Sequence, residues 1–204
     1  MGSALMLSCF CAGAKTKTIF QEAITAKTSE KMDRFFEIRG VQGQAIVKAW
    51  KKCRNKKNKK CVVRNIKTEH ANLEQYNYSN DEFFYETKVT AVVKSIDGYK
   101  SVVKSKDTSS MAHYFDHKPS ELEINGVLMA SIESAMEMCE LEDYDFCSLV
   151  DVKLIEKGRS FYDYSVGADR YSVKAEATVS GYNKLDKKLS EKEQEKYNEK
   201  YYSY

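Results

Sequence analysis

The chain has 204 residues, and its single proline and nine glycines exclude collagen-like and linker-dominated classes of protein. Its 33 Lys and Arg against 30 Asp and Glu give a formal net charge of +3, too small to indicate a global attraction to nucleic acid or membranes. No run of roughly 18 apolar residues occurs, so the sequence predicts no transmembrane helix.

The N-terminus, residues 1–14, has the pattern of an export signal. An apolar stretch is followed at residues 12–14 by small residues in the order that a signal peptidase cuts. Three alternatives stay open: a bacterial lipobox in which Cys9 carries lipid, acylation of Gly2 with palmitoylation at Cys9 and Cys11, and a plain N-terminal segment. We expect an exported protein of the periplasm or the cell envelope or surface.

The next stretch, residues 15–36, is an N-terminal segment whose apolar positions fit either a short helix or an edge strand. From Phe35 the run to Ile38 favours a strand, and Arg39-Gly40 favours a turn. Apolar residues then recur at three- and four-residue spacing as far as Cys53, which predicts a helix that buries one face.

The same order of features recurs later in the chain, which predicts a tandem duplication. Residues 37–93 align with 123–179 without a gap, and sixteen of the 57 pairs are identical. A constant spacing without insertions indicates that each unit keeps the same elements and loop lengths. The predicted divisions are repeat unit 1 at 37–99, a connector at 100–119, repeat unit 2 at 120–182 and a charged tail at 183–204.

Each unit is predicted to read strand, helix, strand, strand. The second strands are expected at 61–68 and 147–154, followed by a polar loop that contains Tyr-x-Tyr-Ser. The closing strands alternate in polarity with a period of two, on one face Tyr85, Thr87, Val89, Ala91 and Val93, and in the second unit Tyr171, Val173, Ala175, Ala177 and Val179. The fold class is therefore α+β, with helices packed on one face of an antiparallel or mixed sheet.

Four cysteines form two matched pairs, each with seven intervening residues between the end of a helix and the start of a strand. We predict disulfides Cys53–Cys61 and Cys139–Cys147 with a structural role, which suits an exported protein. A zinc site is the competing interpretation, although structural zinc ligands come at closer spacing. Free buried thiols in a cytosolic protein are a second alternative. A thiol redox centre is a third, although no Cys-x-x-Cys motif occurs.

The two cysteine-bounded loops carry opposite charges at equivalent positions. Five basic residues of the first unit stand where the second has acidic ones: Lys51, Arg54, Lys56, Lys57 and Lys59 against Glu137, Glu140, Glu142, Asp143 and Asp145. Matched loops of opposite sign are what a contact between unit one and unit two requires, within a chain or between chains.

Where the loops lie decides which contact is expected. Loops at opposite ends would favour head-to-tail assembly into a ring or filament, and loops side by side would favour a clamp within the chain. The remaining alternative is that both loops are solvated surface. No aromatic residue interleaves the lysines of the basic loop, so nucleic acid or anionic lipid is not the expected partner.

Four tyrosines sit in equivalent loops and are candidates for binding a partner or a sugar: Tyr76, Tyr78, Tyr162 and Tyr164. We favour a role as loop anchors, because both copies keep them. Catalysis finds little support, since the three histidines form no metal-ligand pattern and no nucleophile or phosphate-binding motif occurs. We expect no enzyme activity, no metal and no cofactor.

The helix, the cysteine-bounded loop and the strand that ends Glu86-Thr-Lys-Val-Thr-Ala-Val-Val93 resemble small exported bacterial lipoproteins of unknown function, which combine a helix with a β-hairpin. The resemblance implies a cell-envelope location and assigns no residue a role. The function expected first is a non-enzymatic envelope structural or assembly protein that binds itself or a protein partner through the charged loops. The alternative is a binding module for a peptide, glycan or anionic polymer.

Overall fold

The computed structural model describes residues 19–29, 34–55, 58, 60–77, 82–99, 101–165 and 167–184, with only the backbone at residues 29, 34, 71–77, 82 and 102. Several predicted features lie outside the described residues. These are the export or lipidation signal with Cys9, most of the charged tail, and the side chains Lys56, Lys57, Lys59 and Tyr78.

Two helices and two three-stranded antiparallel sheets make up the described chain, which confirms an α+β fold. The first unit consists of β1 (Ile19–Ser29), α1 (Arg34–Asn55), β2 (Cys61–Asn77) and β3 (Glu82–Ser95). The second consists of β4 (Ser101–Phe115), α2 (Glu121–Leu141), β5 (Phe146–Asp163) and β6 (Ala168–Lys184). The strand orders are β1-β3-β2 and β4-β6-β5, so the last strand of each unit lies in the middle of its sheet.

The alternating burial along the two middle strands explains why each sheet packs against its helix. Val89, Ala91 and Val93 of β3 are fully buried, and their neighbours in sequence are more exposed. β6 repeats the pattern with Ala177 and Val179. The predicted alternation is confirmed, and it gives each sheet one apolar face. α1 contacts β1, β3 and β2, and α2 contacts β4, β6 and β5.

The short strand predicted at Phe35–Ile38 is wrong, because these residues form the first turns of α1. The equivalent run in the second unit lies in α2, which begins with a capping box. Ser120 Oγ accepts from Glu123 N at 3.2 Å, and Glu123 Oε2 accepts from Ser120 N at 2.7 Å. This capping box satisfies N–H groups at the start of α2 and outweighs the strand preference of Ile124 there. Phe35 and Phe36 are helical because α1 packs against α2.

The connector predicted at 100–119 is mostly a strand, since β4 occupies Ser101–Phe115 and pairs with β6 along its length. Its Ser, Thr and Lys residues suit an edge strand whose outer face meets water. The N-terminal segment was expected to be either a short helix or an edge strand. It contains β1, which lies at the edge of its sheet, so the edge strand is the correct alternative. The strands predicted at 61–68 and 147–154 exist but continue to Asn77 and Asp163, so two long hairpins replace the predicted polar loops.

One apolar core spans both units. Ile46 of α1, Ile132 of α2, Val93 of β3 and Val179 of β6 are all buried in the same cluster. Neither described helix has the length and apolar character that crossing a membrane requires.

Candidate interaction site

Glycines bring the N-terminal halves of α1 and α2 into backbone contact. A Cβ placed at Gly40 would lie 2.0 Å from the carbonyl oxygen of Leu122, and one at Gly126 would lie 2.1 Å from that of Phe36. Only a residue without a side chain allows such an approach. The turn predicted at Gly40 is therefore wrong, and the residue serves the contact between the helices.

The two helices run in the same direction from this contact. Further along, Ile46 of α1 and Ile132 of α2 line one cavity. In the last turns of α1, the Trp50 Nε1–H donates to the carbonyl oxygen of Leu149 at the start of β5, at 2.8 Å. Both helices consequently end at the same end of the molecule, which we call the disulfide end.

The disulfide end carries both predicted bridges. Cys53–Cys61 and Cys139–Cys147 have Cα–Cα distances of 6.3 and 6.0 Å, within the usual range for a disulfide, so the pairing is confirmed. The bridges are neighbours, because the Ser148 hydroxyl accepts from Cys61 N at 2.9 Å and donates to Cys61 O at 3.3 Å. Two such bridges fit a non-reducing compartment.

Replacing Cys53 and Cys61 together by alanine is expected to lower the free energy of unfolding by about 2.5 kcal/mol. The reason is that each bridge closes a loop of about nine residues and so restricts the unfolded chain. Urea denaturation of the oxidised proteins measures this. The matched control is the same pair of proteins in reductant, where the difference should vanish for this bridge. An unchanged stability in oxidising buffer would contradict the prediction.

The charged residues of the two loops flank the neighbouring bridges. Lys51 and Arg54 are exposed on the last turns of α1. All five acidic residues at or beside the second loop are exposed as well: Glu137 and Glu140 on α2, and Glu142, Asp143 and Asp145 after it. Because the helices are parallel, Lys51 and Arg54 of the basic set lie at the same end as the acidic set. The described charges therefore lie in the side-by-side arrangement and not at opposite ends of the two helices.

Two acidic residues of this loop also have local structural roles. Asp145 Oδ2 accepts from Lys184 N at 2.7 Å and ties the loop to the end of β6. Asp143 has a φ of 55°, the left-handed region, which Asp tolerates better than most residues. The remaining acidic side chains have exposed positions on or just after the end of α2.

The described tyrosines lie far along the hairpin from the disulfide end. Tyr162 is the next-to-last residue of β5 and Tyr164 lies in the turn after it, and their ring centroids are 5.0 Å apart in an edge-to-face arrangement. Tyr164 is 90% exposed, so it does not anchor the loop to the sheet as predicted. Tyr76 lies near the end of β2, within residues 71–77, of which only the backbone is described.

The turn beside these tyrosines is held by Asp163, which the sequence pattern did not single out. Its Oδ1 accepts from the Ser165 hydroxyl at 2.6 Å and from Ser165 N at 3.0 Å. These bonds, with a smaller contribution from Arg170, hold the pKa of the Asp163 carboxyl below its ordinary value. The exposed aromatic pair is therefore presented by an ordered turn.

A cavity of about 300 Å³ opens between α1, α2 and the first residues of β2. Ile46, Ile132 and Met136 form apolar walls, and Glu133 and Glu140 add carboxylates. Burial raises the pKa of Glu133, although Arg39, at 2.8 Å, acts in the opposite direction. The sequence did not predict this cavity, because its walls come from three separate elements.

Within the described ranges, no group of three or more His, Cys, Asp or Glu side chains is arranged to hold a metal ion. No protein-family model, curated protein or solved structure matches this chain.

Proposed function

We propose that this chain is a non-enzymatic, tandemly duplicated interaction protein of the cell envelope, which self-associates through its disulfide end. The observation that carries the proposal is that the exposed Lys51 and Arg54 and the exposed acidic residues lie at that one end. Side-by-side loops also favour a clamp within the chain, and the experiment below separates that clamp from self-association. Its two disulfides and the resemblance to small exported lipoproteins favour an extracytoplasmic location.

The duplication is supported by the symmetry of the helix contact. Residues 86 positions apart correspond, so Gly40 corresponds to Gly126 and Phe36 to Leu122. The contact of Gly40 with Leu122 thus exchanges with that of Gly126 with Phe36 under a twofold rotation. Such an axis runs along the parallel helices and relates the two cysteine-bounded loops at the disulfide end.

This arrangement favours a closed dimer. When a second copy is turned over and placed end to end, a twofold axis across the interface sets the basic loop of each copy against the acidic loop of the other. Both contacts are then favourable and identical, as an isologous interface requires. Complementary charge chiefly sets the partner and the rate of encounter.

The distribution of charge along α2 argues that the acidic loop serves binding more than helix stability. A helix C-terminus carries a partial negative charge, which basic residues stabilise and acidic ones destabilise by about 0.3–1 kcal/mol each. α1 follows the favourable pattern with Lys52 and Arg54 in its last turn, whereas α2 has no basic residue there and carries Glu137 and Glu140. A cationic partner would relieve this repulsion.

Sedimentation velocity tests the proposal. The wild-type protein is expected to dimerise at low salt and to dissociate at about 1 M salt, where the Debye length falls to about 3 Å. The acidic variant, Lys51→Glu with Lys56→Glu, and the basic variant, Glu137→Lys with Glu142→Lys, should each be monomeric because both contacts become repulsive. An equimolar mixture of the two variants should restore a 1:1 dimer.

The mixture is the decisive control, because neither a general loss of folding nor non-specific stickiness would restore pairing. A wild-type protein that is monomeric at every salt concentration would overturn self-association. If the two variants then also unfold at lower temperature than the wild type, the loops form a clamp within the chain.

The second candidate function is a binding module for a peptide, and the open cavity between the helices and β2 favours it. A glycan or an anionic polymer would be the ligand expected if the exposed Tyr162 and Tyr164 pair or the basic loop were the site. The variants above leave the cavity walls unchanged and therefore separate the two functions.

A further inference from the structure

The cavity at the disulfide end has a counterpart related by the duplication, and the counterpart is filled. Met136 on the cavity wall corresponds to Trp50, and Val63 of β2 corresponds to Leu149 of β5. At the counterpart, the Trp50 side chain is only 9% exposed and packs into the core. One site of the pair therefore contains an indole and the other is open.

The indole of Trp50 is held by a backbone feature that both sites share. The pairing register of β5 shifts between Leu149 and Asp151, and the Leu149 carbonyl accepts the indole N–H. β2 shifts register at the equivalent place, between Val63 and Asn65. Such bulges re-aim backbone groups at one position of a sheet. The open cavity thus repeats the backbone geometry that receives an indole.

What differs is the residue that would fill the space. Met136 is shorter and more flexible than an indole and is half-buried. The resulting volume of about 300 Å³ is at the lower end of the range for ligand sites. Tryptophan side chains are frequent anchors in protein interfaces, because they bury a large apolar area while donating one hydrogen bond.

The charged residues around the cavity indicate which residues a partner would carry beside its tryptophan anchor. Glu140 lines the cavity and is exposed, and the exposed Glu137 and Glu142 lie within three residues of it along the chain. The two arginines near the cavity have contacts of their own. Arg39 pairs with Glu133, and the Arg64 guanidinium lies 5.7 Å from the centroid of the Phe146 ring. In the filled counterpart, Trp50 is followed directly by Lys51 and Lys52. A basic segment after an anchor in the open cavity would lie beside the exposed Glu137 and Glu140.

The geometry points to a recognition site for a tryptophan side chain of a protein partner, followed by basic residues. This inference rests on the proposed interaction function and gives it a partner chemistry. It does not depend on dimerisation, because the cavity walls include neither Lys51 nor Glu137.

The test is a titration with the peptide acetyl-Trp-Lys-Lys-amide, followed by NMR of the methionine methyl groups. The protein is the full-length acidic variant defined above, which keeps the cavity and is not expected to dimerise. The Met129 and Met136 signals should shift, and acetyl-Ala-Lys-Lys-amide should bind at least roughly tenfold more weakly. Acetyl-Trp-Glu-Glu-amide should also bind more weakly because of the acidic loop.

Met136→Trp supplies the missing indole from within the chain and is expected to raise the melting temperature and to abolish peptide binding. The matched control is Met138→Trp, since Met138 lies on the same helix, is 44% exposed and does not line the cavity. This variant should bind as the parent does.

Three results would overturn the inference. One is equal binding of the Trp and Ala peptides, and another is a Met136→Trp protein that still binds. The third is a shift of the Met136 signal on deletion of residues 185–204 without peptide, which would make the chain's own C-terminal segment the occupant. Peptide binding by a wild-type protein that never dimerises would instead refute only the proposed self-association.

Discussion

Trp50→Ala is expected to lower the free energy of unfolding by about 3–5 kcal/mol. The indole is nearly buried, and its N–H donates to Leu149 O across 99 residues of sequence, so the side chain joins α1 to β5. Its removal leaves a cavity in the shared core and a buried carbonyl without its donor. Because domains are stable by only about 5–15 kcal/mol, a loss of this size is readily measured by urea denaturation.

Trp50→Phe separates the two causes. Phenylalanine keeps most of the apolar volume but cannot donate to Leu149, so we expect a loss of about 1–3 kcal/mol from the unsatisfied carbonyl. Circular dichroism should follow unfolding in all variants, since Trp50 is the only tryptophan of the chain. Met138→Ala is the surface control and should change stability by less than about 0.5 kcal/mol. A loss below about 1 kcal/mol for Trp50→Ala would contradict the joining role.

The sequence was most informative where a physical requirement is local and periodic. Alternation along Val89, Ala91 and Val93 predicted a half-buried strand, and the equal spacing of the cysteine pairs predicted both bridges. In both cases the determining residues lie within a few positions of each other. Local pattern then suffices, because burial and loop closure act over the same short span.

Sequence patterns gave wrong predictions where contacts between residues far apart in the chain determine the secondary structure. Phe35 and Phe36 favour a strand locally, yet they are helical because their helix docks on α2. β4 is rich in Ser, Thr and Lys, and only pairing with β6 makes it a strand. Tertiary context overrides local preference in both segments.

The candidate site likewise combines features that are visible in the sequence with features that only the fold reveals. Charge reversal between the loops was visible in the sequence, but the position of Lys51 and Arg54 at the same end as the acidic residues follows from the parallel helices. The cavity could not be predicted, because Ile46, Val63 and Met136 meet only in the fold. Comparing Met136 with Trp50 across the duplication was the one signal that could have indicated a difference between the two sites.

Gly40→Ala is expected to lower the free energy of unfolding by about 3 kcal/mol, at the upper end of the usual cost of overpacking. The new methyl group would lie 2.0 Å from the Leu122 carbonyl oxygen, so the helix backbones themselves must separate. This cost has to exceed the gain of about 1 kcal/mol that alanine brings to a helix interior. Thermal unfolding by circular dichroism measures the net effect.

Gly158→Ala is the matched control, because a Cβ at Gly158 meets nothing within 4 Å. Its stability should stay close to that of the wild type. A Gly40→Ala protein that is as stable as this control would contradict the close contact between the helices.

Combining Gly40→Ala with Gly126→Ala tests whether the two contacts form one interface. Once the first methyl group has separated the helices, the second meets less resistance, so the double variant should lose clearly less than the sum of the single losses. Additive losses would mean that the contacts yield independently. Non-additivity instead requires the two glycines to act on a single helix separation, as the twofold relation between their contacts implies. The same separation would carry the ends of α1 and α2 apart, and salt-dependent dimerisation should weaken with it.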